Sequence, residues 1–199
     1  MRVGITGSYA SGKGTVCGFF ENLGAKIIDT DIISREITVP GSPCLSLLID
    51  AFGSIYLNED GSLNRRMLGK FVFADPVRVV QLNAITHPFI LKEILEQTAD
   101  KGSVFMINAP VLIEAGFHTY MDAVIVIKSS DEQSVLRGIK RDGLTEEEIR
   151  HRLKNQISLN EKLKIADYVI DNSGTLENTR KQVVTIWNNL KISSREVQR

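Results

Sequence analysis

The chain has little cysteine, no surplus of either charge and no long apolar run. Of its 199 residues only Cys17 and Cys44 are cysteine, too few for a disulfide framework. The 24 Lys and Arg balance the 24 Asp and Glu, so the basic surplus of a general nucleic-acid or membrane binder is missing. No apolar stretch approaches the roughly 18 residues of a membrane span. The opening MRVGITGSYASGKG lacks the apolar core of a secretory signal. With 43% hydrophobic and 24% charged residues, the composition is that of a folded domain and not of a disordered chain. A reduced, cytoplasmic protein that binds neither nucleic acid nor membrane is expected, with both cysteines in its core.

What is there begins with alternation. Val3 to Thr6 reads as a buried strand ending at Gly7. Val16, Phe19, Phe20 and Leu23 then recur at helical spacing, with Gly24 as a C-terminal cap. Lys26 to Ile28 is a second strand. Strand, helix, strand predicts a parallel α/β sheet. Further strands are expected at Val104–Ile107, Ala123–Ile127 and Tyr168–Ile170. A helix is expected over Asp131–Arg141 with Val135, Leu136 and Ile139 inward. The TEEE run at Thr145 predicts another helix, opened by a capping box. A final helix from about Thr175 has Leu176, Val183, Val184, Trp187 and Leu190 on one face and a polar, frayed tail from Ser193.

The middle third predicts helices only. They cover Leu45–Phe52, the stretch after Asn64 to Val72, and two more divided by His87-Pro88 that run from Asp75-Pro76 to about Ala99. Asp60-Gly61 marks a turn.

Gly7-Ser8-Tyr9-Ala10-Ser11-Gly12-Lys13 matches G-x-x-x-x-G-K between a strand and a helix. Glycines let backbone N–H groups converge on phosphate oxygens, the helix N-terminus adds its positive dipole end, and Lys13 adds a cation. Gly14 follows where a hydroxyl residue is usual, and Thr15 comes next. Either Thr15 meets magnesium directly, or a water stands between.

Asp29 and Asp31 end the second strand, at the edge where open parallel sheets bind ligands. A carboxylate there can take a hydroxyl proton in phosphoryl transfer; the other reading of each is a helix cap. The third strand ends Ile107-Asn108-Ala109-Pro110, without the magnesium carboxylate of P-loop ATPases, and no Asn-Lys-x-Asp run for guanine occurs. Both absences weigh against a motor or GTPase.

Arg137 and Arg141 are spaced i,i+4 just before Asp142-Gly143, as a phosphate-clamping lid requires; a solvated face is the plainer reading. Arg65-Arg66 reads as an acceptor contact or a surface pair. His87 reads as a cap, a core residue or a substrate contact. His118 and His151 have no metal-ligand spacing with it.

Taken together and in order, these residues resemble the dephospho-CoA kinase family. The resemblance runs from about Arg2 to Trp187 through ITG…SGKGTV, IIDTDIISREI, DGSLNRRMLG, NAITHPFI, APVLIEAG, RGIKRDGLTEEE and QISLNEKLKIADYVIDNSG. Ser8-Tyr9-Ala10 departs from a more glycine-rich family loop. The resemblance implies a single P-loop kinase domain over 1–199: an α/β three-layer fold with a five-stranded parallel sheet flanked by helices. It further implies a helical acceptor-binding insertion at about 33–100 and a lid at about 137–160. The implied reaction moves the ATP γ-phosphoryl group, with Mg2+, to the ribose 3′-hydroxyl of dephospho-CoA, in a monomer or small homo-oligomer.

The resemblance puts the base at Asp31, with Asp29 beside it, and the P-loop at Ala10, Ser11, Gly12, Lys13, Gly14 and Thr15. The lid arginines fall on Arg137 and Arg141, magnesium on Thr15 and Asp31, and an adenine-side contact on Asn172. Arg65, Arg66 and His87 stand on the acceptor side. Two rival readings are a nucleoside-monophosphate kinase and a nucleotide-binding regulatory module.

Overall fold

A computed structural model describes residues 1–100, 102–154 and 156–196. In chain order the elements are β1 (Arg2–Gly7), α1 (Lys13–Asn22), β2 (Lys26–Asp29), α2 (Thr30–Glu36), α3 (Pro43–Phe52), α4 (Arg65–Val72) and α5 (Pro76–Gln97). There follow β3 (Phe105–Asn108), β4 (Ala123–Lys128), α6 (Asp131–Asp142), α7 (Glu146–Lys154), α8 (Leu159–Ile165), β5 (Tyr168–Asp171) and α9 (Leu176–Glu196). Two compact units result, one from 1–28 with 100–199, the other from 29–99. Among the described residues no helix is long and apolar enough to cross a membrane.

The sheet has five strands in the order β2-β3-β1-β4-β5. β1 runs parallel to β3, with Val3 opposite Met106, and parallel to β4, with Ile5 opposite Ile125; β4 pairs in parallel with β5. Covered on both faces, the central strands are buried along nearly their whole length, which is why they read as continuous apolar runs and do not alternate. Val3, Ile5, Ile125 and Ile127 join Phe20 of α1 and Trp187 of α9 in one core, the two rings 6.3 Å apart. Both cysteines are buried, and burial raises the pKa of the Cys44 thiol.

Three expectations about faces and ends need correcting. On α6 the buried positions are Ser134, Val135 and Gly138, whereas Leu136 and Ile139 are exposed. Glycine decides the face: a Cβ on Gly138 would stand 2.8 Å from Ile149 Cδ1, so α7 packs where α6 has no side chain. On α9 the stripe is Val183, Ile186, Trp187 and Leu190, while Leu176 and Val184 stand in solvent. That helix also continues through the expected tail to Glu196, and residues 197–199 lie outside the described part.

The unit over 29–99 is helical, as its sequence predicts, but it lacks the break at His87-Pro88. Pro88 lies inside a continuous α5. Proline removes one N–H, and with it one helical hydrogen bond; beyond it Ile90 and Ile94 are still buried, and that burial carries the helix through. Asn64 caps α4 by accepting from the Met67 N–H at 3.0 Å, and Asp75 caps α5 through the Val77 N–H at 2.9 Å. The Arg78 guanidinium stacks 3.8 Å from the Phe71 ring centre, and Tyr56 packs against the same ring.

Candidate active site

The loop between β1 and α1 is built for an anion. Gly12 caps α1 at φ 95°, no side chain caps the first turn, and no acidic residue lies in it. The leading N–H groups of α1 and its dipole end therefore face no carboxylate from the helix itself. Ala10 takes the left-handed region at φ 55°, a conformation that costs an L-residue about 1–2 kcal/mol. Here the loop meets, without glycine, a need that more glycine-rich loops meet with it. Lys13 lies folded back, its Nζ donating to the carbonyls of Gly7 (3.2 Å) and Ser8 (3.0 Å). Gly14 and Thr15 are exposed on the first turn.

The floor of the loop is fastened from behind. The Ser11 carbonyl accepts from Asn172 Nδ2 at 2.8 Å and from Arg137 Nη1 at 3.2 Å. Arg137 also donates to Ser129 Oγ (3.2 Å) and to the Asn172 carbonyl (2.9 Å). A Cβ on Gly12 would collide with the Asn172 amide, and one on Gly7 would run into the Ile127 carbonyl. Only glycine permits this closeness at either point.

These contacts separate the two arginines that the spacing had paired. Arg137 is half-buried and tied to the loop, whereas Arg141 turns to Asp142, with Nε and Nη2 each 2.8 Å from a carboxylate oxygen. The Asp142 hydrogen bonds raise the pKa of Arg141 further above its ordinary value. Tyr9 joins this cluster through a hydrogen bond from its hydroxyl to Asp142, and its ring lies 5.4 Å from the Arg141 guanidinium. The Tyr9 N–H donates to Gln156 Oε1 at 2.9 Å. Asn172, expected on the adenine side, is buried, with both ends of its amide engaged.

Asp29 and Asp31 differ in their surroundings. Asp29 is the N-cap of α2, its Oδ1 accepting from the Asp31 N–H at 2.8 Å. Asp31 lies in the first turn of α2 with an exposed side chain, just past the carboxyl end of β2, where parallel sheets present ligand-binding groups. β3 ends at Asn108, followed by buried Ala109, so the usual acidic position is filled by an amide.

On the helical unit, Arg65 donates to the Arg35 carbonyl (3.0 Å) and to Thr38 Oγ1. Desolvation first, and the charge of Arg35 second, lower its pKa. Arg66 is exposed beside it. His87 is half-buried on α5, and desolvation lowers its pKa.

Two features escaped the sequence reading. Fully buried Lys162 on α8 pairs with Glu114 at 2.9 Å and donates to the Pro110 carbonyl at 3.3 Å. Nothing in a charged helix marks one lysine as internal. Thr179, also fully buried, donates to Asn172 Oδ1 at 2.9 Å. Its signal was available: Thr179 stands on the same helical stripe as Val183 and Ile186, a polar residue among core positions.

The sequence profile of the dephospho-CoA kinase family matches residues 1–178. A dephospho-CoA kinase of Carboxydothermus hydrogenoformans is 41% identical over 188 residues, covering 92% of this chain and 91% of that one. The solved dephospho-CoA kinase from Campylobacter jejuni superposes with a TM-score of 0.70 at 30% identity, covering 95% and 96% of the two chains. A shikimate kinase from Acinetobacter baumannii, at 17% identity and a TM-score of 0.55 over 96% and 93% of the chains, shares the fold alone. With profile, relatives and fold agreeing over nearly its whole length, the chain belongs to the dephospho-CoA kinase family.

Proposed function

We propose that this protein transfers the γ-phosphoryl group of ATP to the ribose 3′-hydroxyl of dephospho-CoA, giving CoA and ADP. The observation that carries the reading is the glycine-capped start of α1, free of side-chain caps and acidic residues, with Lys13 on the same loop. In phosphoryl transfer the protein mainly positions groups and stabilises charge. The loop N–H groups take the β- and γ-phosphates, and Lys13 exchanges the Gly7 and Ser8 carbonyls for phosphate oxygens. Asp31 accepts the 3′-hydroxyl proton as the new O–P bond forms and the bond to the β-phosphate oxygen breaks. Arg141 exchanges Asp142 for a phosphate oxygen, and Arg137 holds the loop that receives the nucleotide.

Among the described residues no group of three or more His, Cys, Asp or Glu is arranged to hold a metal. Mg2+ is ordinarily held by one or two protein oxygens together with phosphates and waters. The Thr15 hydroxyl and the Asp31 carboxylate are the oxygens we assign to it, and when bound it neutralises phosphate charge. The segment at about 33–100 receives the acceptor, with Arg65, Arg66 and His87 on its side and Asp29 shaping the turn into it. The segment at about 137–160 serves as a lid that excludes water.

The test mixes purified protein, Mg-ATP and dephospho-CoA and follows CoA by mass. Formation of a phosphorylated nucleoside monophosphate in place of CoA would overturn the assignment. Asp31→Asn is expected to keep ATP binding and to lose about 10²–10⁴-fold in turnover; near-normal turnover would remove the base role.

A further inference from the structure

Behind the phosphate loop, buried hydrogen bonds run from α9 to the backbone of Ser11. Thr179 Oγ1 donates to Asn172 Oδ1 at 2.9 Å, and Asn172 Nδ2 donates to the Ser11 carbonyl at 2.8 Å. All the groups are internal: Ser11 and Thr179 are fully buried, and Asn172 is 3% exposed. Asn172 is itself held in place, its N–H on the Lys128 carbonyl at 2.8 Å and its carbonyl under Arg137 Nη2 at 2.9 Å. Thr179 is anchored in α9 through the Thr175 carbonyl, 3.1 Å from its backbone N–H.

From this arrangement we infer that Thr179 is a positioning residue for nucleotide binding, fixing through Asn172 the direction of the Gly12 N–H. The inference rests on the reading that the loop binds the phosphates of ATP. In a planar trans peptide the carbonyl and the following N–H point in opposite directions. Drawing the Ser11 carbonyl back onto Asn172 and Arg137 therefore turns the Gly12 N–H to the other side, away from both. A carbonyl can only accept, so Asn172 must present its NH2 to Ser11, and that leaves its oxygen facing α9. The Thr179 hydroxyl gives that oxygen a donor and so selects this amide orientation. The same hydroxyl lies 3.3 Å from the Thr175 carbonyl, but its single proton has the shorter path to Asn172. Without it a buried amide oxygen loses its donor, and the orientation that holds the loop loses its support. Thr179 has no exposed surface; it acts through Asn172.

The experiment compares wild type with Thr179→Val, which keeps the shape and removes the hydroxyl, and Thr179→Ser, which keeps the hydroxyl. Mg-ADP binding is read by calorimetry, KM for ATP and for dephospho-CoA by turnover, and folding by thermal denaturation. Thr179→Val is expected to weaken Mg-ADP and to raise the ATP KM about five- to tenfold, with the dephospho-CoA KM within about twofold of wild type. Thr179→Ser should restore both to within about twofold, and adding Thr179→Val to Asn172→Ala should change binding no further. Should the valine variant not fold, Thr179→Ala takes its place with the same expectations. A lowered melting temperature with unchanged Mg-ADP affinity would assign Thr179 to stability alone and overturn the inference, as would additive effects with Asn172→Ala. If wild type binds Mg-ADP but forms no CoA, the acceptor assignment falls, and the Mg-ADP titration still decides the role of Thr179.

Discussion

Replacing Lys162 by Met tests whether the internal Lys162–Glu114 pair holds its unit together. Methionine keeps most of the stem volume and removes the charge. In its absence Glu114, whose side chain is 21% exposed, keeps among the described residues the Ile157 N–H at 3.3 Å. The Pro110 carbonyl keeps the Thr6 hydroxyl, also at 3.3 Å. Breaking a fully buried pair from one side costs about 3–5 kcal/mol; the partial solvation of Glu114 brings the expected loss to about 2–3 kcal/mol. For a chain of this size that lowers the melting temperature by roughly 4–12 °C. Trp187, the only tryptophan, is 5% exposed in the core of the same unit, so its fluorescence during urea unfolding reads the relevant transition. Removing both charges with Lys162→Met and Glu114→Gln should recover half or more of the loss, since no lone carboxylate is then left behind. A single variant within about 0.5 kcal/mol of wild type, or a double variant worse than the single, would show that the pair does not hold the unit together.

Gly12→Ala should weaken Mg-ADP binding at least about tenfold. Alanine is strained at φ 95°, and its methyl would displace the Asn172 amide from Ser11; unchanged affinity in a calorimetric titration would count against the loop geometry. His87 supplies a pH dependence. Its folded pKa is lowered by burial, so below its ordinary value of about 6.5 the unfolded chain takes up a proton that the folded chain resists. Stability is therefore complete above about pH 6.5 and falls as the pH drops toward the folded value. His87→Gln should flatten the decline in melting temperature between about pH 7 and pH 5, and an unaltered slope would show that His87 does not govern it.

The sheet and the strand–glycine loop–helix at its start were legible because both are written locally. Continuous β-branched runs mark covered parallel strands, and a glycine motif between strand and helix needs no distant partner to be recognised. Asp75 and Thr145 open their helices as read, and Asn64 and Ser130 cap theirs too, since a cap is decided within one turn. Where the reading failed, packing had overruled local preference. Pro88 stays helical because residues beyond it are buried, and the face of α6 is set by α7 arriving at Gly138. Arg137 shows the limit for the site: spacing put it on an outer face, but its partners Ser11 and Asn172 are remote in sequence. Thr179 is the intermediate case, visible as a polar residue in an apolar stripe while its partner was not.

The points where the chain leaves and re-enters the sheet-bearing unit are neighbours. Lys26 Nζ lies 3.1 Å from Asp100 Oδ2, and the Lys26 N–H bonds the Val104 carbonyl at 2.9 Å. The Ser103 hydroxyl, the Gly102 N–H and Lys26 together hold the Asp100 carboxyl well below the usual carboxylate range. Everything between these flanks is topologically a single excursion from one site on the scaffold. Closing such an excursion depends only weakly on its length, about 0.6 kcal/mol for each doubling. The scaffold can therefore tolerate large changes in what it carries there, and the helical unit can be replaced or resized as a cassette while the sheet-bearing unit stays fixed.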